Sequence, residues 1–259
     1  MPAYVIGDLH GHYNIFTQLL LQSGLCDAQL QWIGDDSHLW MIGDLFDRGP
    51  NGLACLRLTL SLREQAVAVG GKVDMLLGNH EMMLLCARKF PGEFISKGVS
   101  IQDQWISWGG IESDMEAISD TEVQWLATRP LLALHGSTLL MHADNTMYID
   151  YGHTVEEVNM TFKHLLASND FDEWLLALTA FTEHKAFSQY PEVGKERAKQ
   201  ILTLYGANHL VHGHTPIPIA SHQPASMVNS AWTYADGLCT NVDGALYMGG
   251  PGFVYLLEA

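Results

Sequence analysis

Nine residues of types that do chemistry recur in short polar segments of this chain. Asp8 and His10 stand in Gly-Asp-Leu-His-Gly, and Asp44, Asp47 and Arg48 in Gly-Asp-Leu-Phe-Asp-Arg-Gly. Asn79 and His80 stand in Gly-Asn-His-Glu, His142 in His-Ala-Asp, and His214 in Gly-His-Thr-Pro. Carboxylate, imidazole and amide oxygen are the hard and borderline donors that suit five- or six-coordinate divalent cations such as Mn, Fe, Co or Zn. No thiolate is among them, which counts against a closed structural zinc site. Such a set can hold two cations if one carboxylate bridges them at about 3.5–4 Å. Asp44, which follows an apolar run and lies between the other two loops, is the expected bridge. The pair would trap a hydroxide nucleophile at neutral pH and attract phosphate oxygens. Arg48 would clamp that phosphate through bidentate hydrogen bonds.

The elements that must carry these residues are visible as short apolar runs, each ending in glycine and polar residues and each followed by helical spacing. Residues 3–6, 39–42 and 73–77 read as strands, with helices expected at about 13–21, after 49 and from 82. Residues 137–141 and 208–211 read as further strands, separated by a mostly helical stretch at about 155–205. The runs 238–242 and 252–257 read as hairpins closing a second sheet. Alternation of this kind predicts an α/β protein whose site lies at the carboxyl ends of its strands. Residues 90–130 break the rhythm with Trp105, Trp108 and Trp125 among helix formers, and are expected to form a helical cap beside the site. The tryptophans are assigned to packing of that cap. No linker or internal repeat divides the chain, so residues 1–259 are expected to form one domain.

The first three segments resemble the three motifs of the phosphoprotein phosphatase superfamily, GDxHG, GDxxDRG and GNHE, at every defined position and in order. His142-Ala143-Asp144 and Gly213-His214-Thr215-Pro216 resemble the two downstream histidine motifs of its bacterial branch, typified by lambda phosphatase. The resemblance implies a metallophosphoesterase fold, two packed β-sheets flanked by helices in four αββα layers. It further implies that Asp8, His10 and Asp44 bind the first of two divalent metals and that Asp44, Asn79, His142 and His214 bind the second. Mn is the first choice, with Fe, Zn, Co or Ni also compatible. His80 would then be the general acid, oriented by Asp47, with Arg48 holding the phosphate.

Gly70-Gly71-Lys72-Val73 before the third motif is similar to the Shewanella-like phosphatases, associated with phosphotyrosine. The bacterial diadenosine tetraphosphate hydrolases usually lack the second Asp of GDxxDRG and carry GNHD, whereas this chain has Asp47 and Glu81. The expected activity is therefore hydrolysis of phosphomonoesters on protein Ser, Thr or Tyr by direct attack of a dimetal-bound hydroxide. A hydrolase of dinucleoside polyphosphates or other small phosphoesters is the alternative within enzymes, and a catalytically dead phosphopeptide-binding module the alternative outside them. One departure from the family pattern concerns its second phosphate-binding arginine: Arg197 is the only arginine between the last two histidine motifs, and it reads equally as part of a charged helix face. His212 is assigned to support of the site, as is Glu81.

Composition narrows the remaining classes. Asp and Glu outnumber Lys and Arg by 29 to 13, a net charge of −16, so a nucleic-acid backbone would be repelled. An anionic substrate, a phosphorylated protein or small phosphoester, would need cations to hold it. Hydrophobic residues at 47% suffice for a packed core. The scattered Cys26, Cys55, Cys86 and Cys239 predict reduced core thiols. Nowhere do 18 uncharged apolar residues run together, which predicts a cytoplasmic protein without a membrane partner.

Overall fold

A computed structural model describes residues 1–257. Its first half runs β1 (Ala3–Ile6), α1 (Tyr13–Gln22), β2 (His38–Met41), α2 (Gly52–Ala68), β3 (Lys72–Met75) and α3 (Asn79–Lys89). Next come a short hairpin, β4 (Phe94–Ser96) and β5 (Val99–Ser100), and three small helices, α4 (Ile101–Ser107), α5 (Glu112–Ala117) and α6 (Asp120–Leu126). The second half contains β6 (Leu132–His135), β7 (Thr138–Met141), α7 (Val155–Ala167), α8 (Phe171–Phe181), α9 (Pro191–Tyr205) and β8 (His209–His212). It ends with α10 (Ile217–Ser221), β9 (Trp232–Tyr234), β10 (Cys239–Asn241) and β11 (Tyr255–Leu257).

Two mixed sheets result, in the orders β11-β1-β2-β3 and β6-β7-β8-β10-β9. Strand alternation explains how they meet, because successive side chains point to opposite faces. Val5, Trp40 and Ile42 of the first sheet's inner face join Leu140, Val211 and Val242 of the second in one buried cluster. Their sequence neighbours Ile6, Leu39, Met41, Leu139 and Leu210 face outward into a larger cluster shared with the helices. The parallel registers Ile6 to Met41 to Met75, and Leu140 to Val211, set the carboxyl ends of the central strands side by side.

The structure departs from the sequence expectations in three places. The third strand stops at Met75 rather than at residue 77, since Leu77 N–H leaves the sheet for the Pro130 carbonyl, at 2.9 Å. The end of the 252–257 run does not close the second sheet: β11 pairs antiparallel with β1 in the first, with Val5 opposite Tyr255. The second sheet instead gains β6, an edge strand hairpinned to β7. The 90–130 segment opens with the β4–β5 hairpin, which its composition had hidden.

Two arginines fasten that segment to the helices beneath it. Arg88 of α3 donates to the Met115 carbonyl at 3.0 Å, and Arg57 of α2 donates to Glu122 at 2.7 Å and to the Ala117 carbonyl at 3.1 Å. Glu122 also accepts from Ser119 N–H at 2.7 Å, capping α6. The hydrogen bond from Arg57 holds the Glu122 carboxyl down at about 2, below its ordinary 4.5. A depressed carboxyl contributes stability that is present above its ordinary pKa and is lost as pH falls toward the folded value. Glu122→Gln keeps the capping geometry but not the charge, so wild type should melt higher than the variant near pH 7. The gap should narrow as pH falls below 4.5 toward about 2. Thermal melts of both proteins between pH 7 and 3.5 test this, and a pH-independent gap would contradict it.

Candidate metal centre and catalytic turn

The strand-end loops place most of the chemistry-bearing residues in left-handed backbone. His10, Asp44, Asp47, Arg48 and His214 have φ of 44°, 53°, 67°, 67° and 65°. Left-handed backbone costs a non-glycine residue roughly 1–2 kcal/mol, so each must be held by its surroundings. Close approach does part of this. A Cβ on Gly78 would lie 2.2 Å from Asp44 Oδ1, and one on Gly213 would lie 2.2 Å from Asp8 Oδ1, which is why glycine occupies both motif positions.

Asp44 is the centre of the arrangement. Its Oδ2 lies 3.8 Å from His10 Nε2, and its Oδ1 lies 3.4 Å from His142 Nε2. Two groups of potential ligands therefore share it: His10, Asp44 and His80 on one side, and Asp44, His142 and His214 on the other. Asn79 Oδ1 closes the second group, 2.9 Å from His142 Nε2 and 2.8 Å from His214 Nδ1. Asp8 Oδ2 stands 4.0 Å from His10 Nε2, while both Asp8 oxygens accept from His214 N–H. The far ring nitrogens fix the orientation of two imidazoles. His10 Nδ1 lies 3.0 Å from the Phe46 carbonyl and His142 Nδ1 lies 2.9 Å from the Ile42 carbonyl, so each turns Nε2 toward Asp44.

This donor set fits divalent cations. Burial, then the neighbouring His80, pushes His10 well below its ordinary pKa; burial, then His142, takes His214 down to about 3. Both rings thus offer neutral lone pairs at neutral pH. Burial works against His142 charging as well, but Asp44, Asp8 and Glu81 together outweigh it and raise this ring to about 10. Burial likewise opposes ionisation of Asp44, and His142 with His80 and His10 overcomes it, holding that carboxyl well below its ordinary range. A cation bound by the same donors replaces the proton on such a ring. Burial and then Asp243 raise Asp8. Asp243 itself is pushed up to about 7 by burial, and among the described residues its buried Oδ2 has no hydrogen-bond partner. Crowded buried carboxylates of this kind are relieved by positive charge.

His80 differs from the other imidazoles. Its Nδ1 is 2.7 Å from Asp47 Oδ2, with both side chains 1% exposed. The other Asp47 oxygen, Oδ1, accepts from Trp105 Nε1 at 3.1 Å. Glu81, fully buried, accepts from Asp44 N–H and Leu45 N–H at 2.7 Å each and from Gly78 N–H at 3.0 Å, so it ties the second and third motif loops together. Both ring nitrogens of His212 are engaged elsewhere, by the Gly213 carbonyl and by Tyr234 Oη at 2.9 and 2.8 Å.

A cavity of about 420 Å³ opens over the centre, lined by Arg48, Asn79, His80 and His214 and walled by Trp108, His184 and Tyr247 among others. Arg48 lies 4.1 Å from the centre of the Tyr247 ring, with Nη1 2.9 Å from His10 Nε2. Trp108, expected to pack the segment's interior, faces the cavity 6.1 Å from His80 between ring centres. Arg197 does not line the cavity; its Nη1 donates to the Ala186 carbonyl at 3.3 Å. Asp243, His184 and Tyr247 escaped the sequence reading. Asp243-Gly244 follows the end of β10 as polar residues and glycine follow other strands, with the Gly-Asp order of the first two motifs reversed, and that placement is its one local signal. His184 and Tyr247 carry no local signal.

Comparison with known proteins agrees with the fold and the motifs. Residues 1–218 match the family model described as calcineurin-like phosphoesterase, and the chain belongs to that family. It is 38% identical over 146 residues to a symmetrical bis(5'-nucleosyl)-tetraphosphatase of Glaesserella parasuis; the match covers 55% of this chain but only 44% of that relative. It is 24% identical over 241 residues to the Shewanella-like protein phosphatase 1 of Plasmodium berghei, covering 89% of this chain and 65% of that protein. Among solved structures it resembles a cold-active protein-tyrosine phosphatase of a psychrophilic Shewanella, with a TM-score of 0.70 and 23% identity over 99% of this chain and 75% of that one. Within the fold of that family the chain carries buried His and Asp groups that could hold divalent metal. No described helix is long and apolar enough to cross a membrane.

Glu81→Gln leaves a single oxygen where two serve three backbone donors. Each buried donor left unpaired costs about 1–3 kcal/mol. We expect urea unfolding of the metal-free variant to show a loss of about 2 kcal/mol or more on that basis. Unchanged stability would remove Glu81 as the tie between the loops.

Proposed function

We propose that this chain is a metal-dependent phosphomonoesterase whose substrate is a phosphorylated protein side chain. The observation that carries the reading is the buried 2.7 Å contact between His80 and Asp47. An alkoxide or phenolate leaving group is far more basic than a nucleotide phosphate, and its departure needs a well-held proton donor. With Nδ1 committed to Asp47, His80 has Nε2 for the leaving oxygen. Arg48, supported on the Tyr247 face, would hold the phosphate oxygens through its guanidinium edge.

In this reading Asp8, His10 and Asp44 hold one divalent cation, and Asp44, Asn79, His142 and His214 hold the other. Mn stands first, and Fe, Zn, Co and Ni suit the same donors. Bound there, the cations supply Lewis-acid polarisation of the phosphoryl group and a lowered pKa for the attacking water. Residues 90–130 act as a cap on one side of the site, with Trp108 forming part of its wall.

The second reading, hydrolysis of dinucleoside polyphosphates, is favoured by the name of the Glaesserella relative over half the chain. The cavity argues for the monoester. Among the described residues lining it, Arg48 is the only lysine or arginine, enough for one phosphate group rather than a chain of four.

Asp44→Asn should lower bound metal at both positions, whereas Asp8→Asn should mainly empty one; elemental analysis of the purified variants decides, and two metals retained by Asp44→Asn would sink the shared-carboxylate assignment. On substrate, kcat/KM with added Mn should favour phosphotyrosine, phosphoserine or phosphothreonine peptides over diadenosine tetraphosphate. A clear advantage for the dinucleotide would overturn the substrate class and leave the metal centre standing.

A further inference from the structure

The end of α4 and the residues after it, 105–110, dock on the Asp47–Arg48 turn. Gly109 carbonyl accepts from Arg48 N–H at 2.7 Å, and Trp105 Nε1 donates to Asp47 Oδ1 at 3.1 Å. The approach is built for contact. A Cβ on Gly109 would lie 2.9 Å from Arg48 N, and one on Gly110 would lie 2.4 Å from the Trp105 indole. Trp105 is 3% exposed, so its indole is largely removed from water. The Asp47 carboxylate therefore has both oxygens engaged, one by the indole and one by His80. A carboxylate with only one partner can turn about its terminal torsion, which is broad and roughly two-fold. Engaging both oxygens fixes the plane in which Asp47 meets the imidazole.

We propose that Trp105 is a positioning residue for His80, acting through Asp47, so that the 90–130 segment sets the geometry of proton donation as well as walling the cavity. The inference rests on the reading of His80 as proton donor. It goes beyond packing, because a merely packed tryptophan would be replaceable by phenylalanine with a uniform effect on all substrates.

Trp105→Phe keeps an aromatic ring and removes the N–H. With Mn-loaded enzyme, kcat on phenyl phosphate should fall about tenfold, part of the roughly 10²–10⁴ that a positioned acid contributes. On p-nitrophenyl phosphate, whose leaving group needs little protonation, kcat should stay within about twofold, and KM should be unchanged for both. His80→Asn should show the same leaving-group pattern more strongly, and adding Trp105→Phe to it should cost nothing further. A second readout needs neither metal nor turnover: among the indole N–H signals of the metal-free protein's seven tryptophans, one protected from exchange should vanish in Trp105→Phe and shift in Asp47→Ala, while the other protected indoles stay in place. That indole measurement on wild type and Asp47→Ala stands even if Trp105→Phe fails to fold. If His80→Asn shows the leaving-group pattern but Trp105→Phe slows both substrates equally or neither, or if no protected indole responds to Asp47→Ala, the positioning role is overturned. If His80→Asn itself slows both substrates equally, the proton-donor reading falls, and this inference with it.

Discussion

The site depends on one carboxylate being available on both sides. Asp44 presents Oδ2 toward His10 and Oδ1 toward His142, and these two directions divide the buried imidazoles into two groups. Its orientation is set by a buried carboxylate and by a backbone donor. Glu81 takes its backbone N–H, and its Oδ1 accepts His80 N–H at 2.9 Å from the start of α3. Gly43, with φ of 106° and a Cβ position 2.7 Å from Gly78 N, lets the second and third loops approach closely enough for this. The parallel pairing of β1, β2 and β3 brings the loops together, and the left-handed turns then aim their side chains into one volume.

Such a centre is costly to fold. Buried carboxylates and imidazoles lose hydration, and the left-handed residues add backbone strain. The compensation is visible around them: the two sheets share a buried apolar inner cluster, and their outer faces pack against helices. Arg57 and Arg88 bind α5 and α6 to α2 and α3, and α4 reaches the Asp47–Arg48 turn. Rigid packing of the scaffold is what allows strained, charged loops to hold a single arrangement.

Sequence makes the strand-end motifs legible because each is local: an apolar run and the polar residues after it, in all but one with a glycine, lie within ten positions. From these alone the α/β class follows, and the structure places Asp8, His10, Asp44, Asn79, His80, His142 and His214 near one another. The unread parts depend on distant pairing. β11 has three residues, and only the exposed edge of β1, more than 240 positions earlier, decides which sheet receives it. Trp108, His184 and Tyr247 come from separate loops and meet only at the cavity. Trp105 reads as core, and it is buried, yet its indole edge falls on Asp47 because α4 docks at the turn. Helical spacing alone does not contain that fact.

The central claim is that one shared carboxylate joins two cation positions. Electron paramagnetic resonance of the protein titrated with Mn(II) addresses it directly, since two ions bridged at about 3.5–4 Å are exchange-coupled. The account predicts a coupled pair spectrum that reaches its maximum at two equivalents of Mn(II) per chain and collapses in Asp44→Asn. Two independent, uncoupled Mn(II) spectra at that loading, or saturation at a single ion, would contradict it.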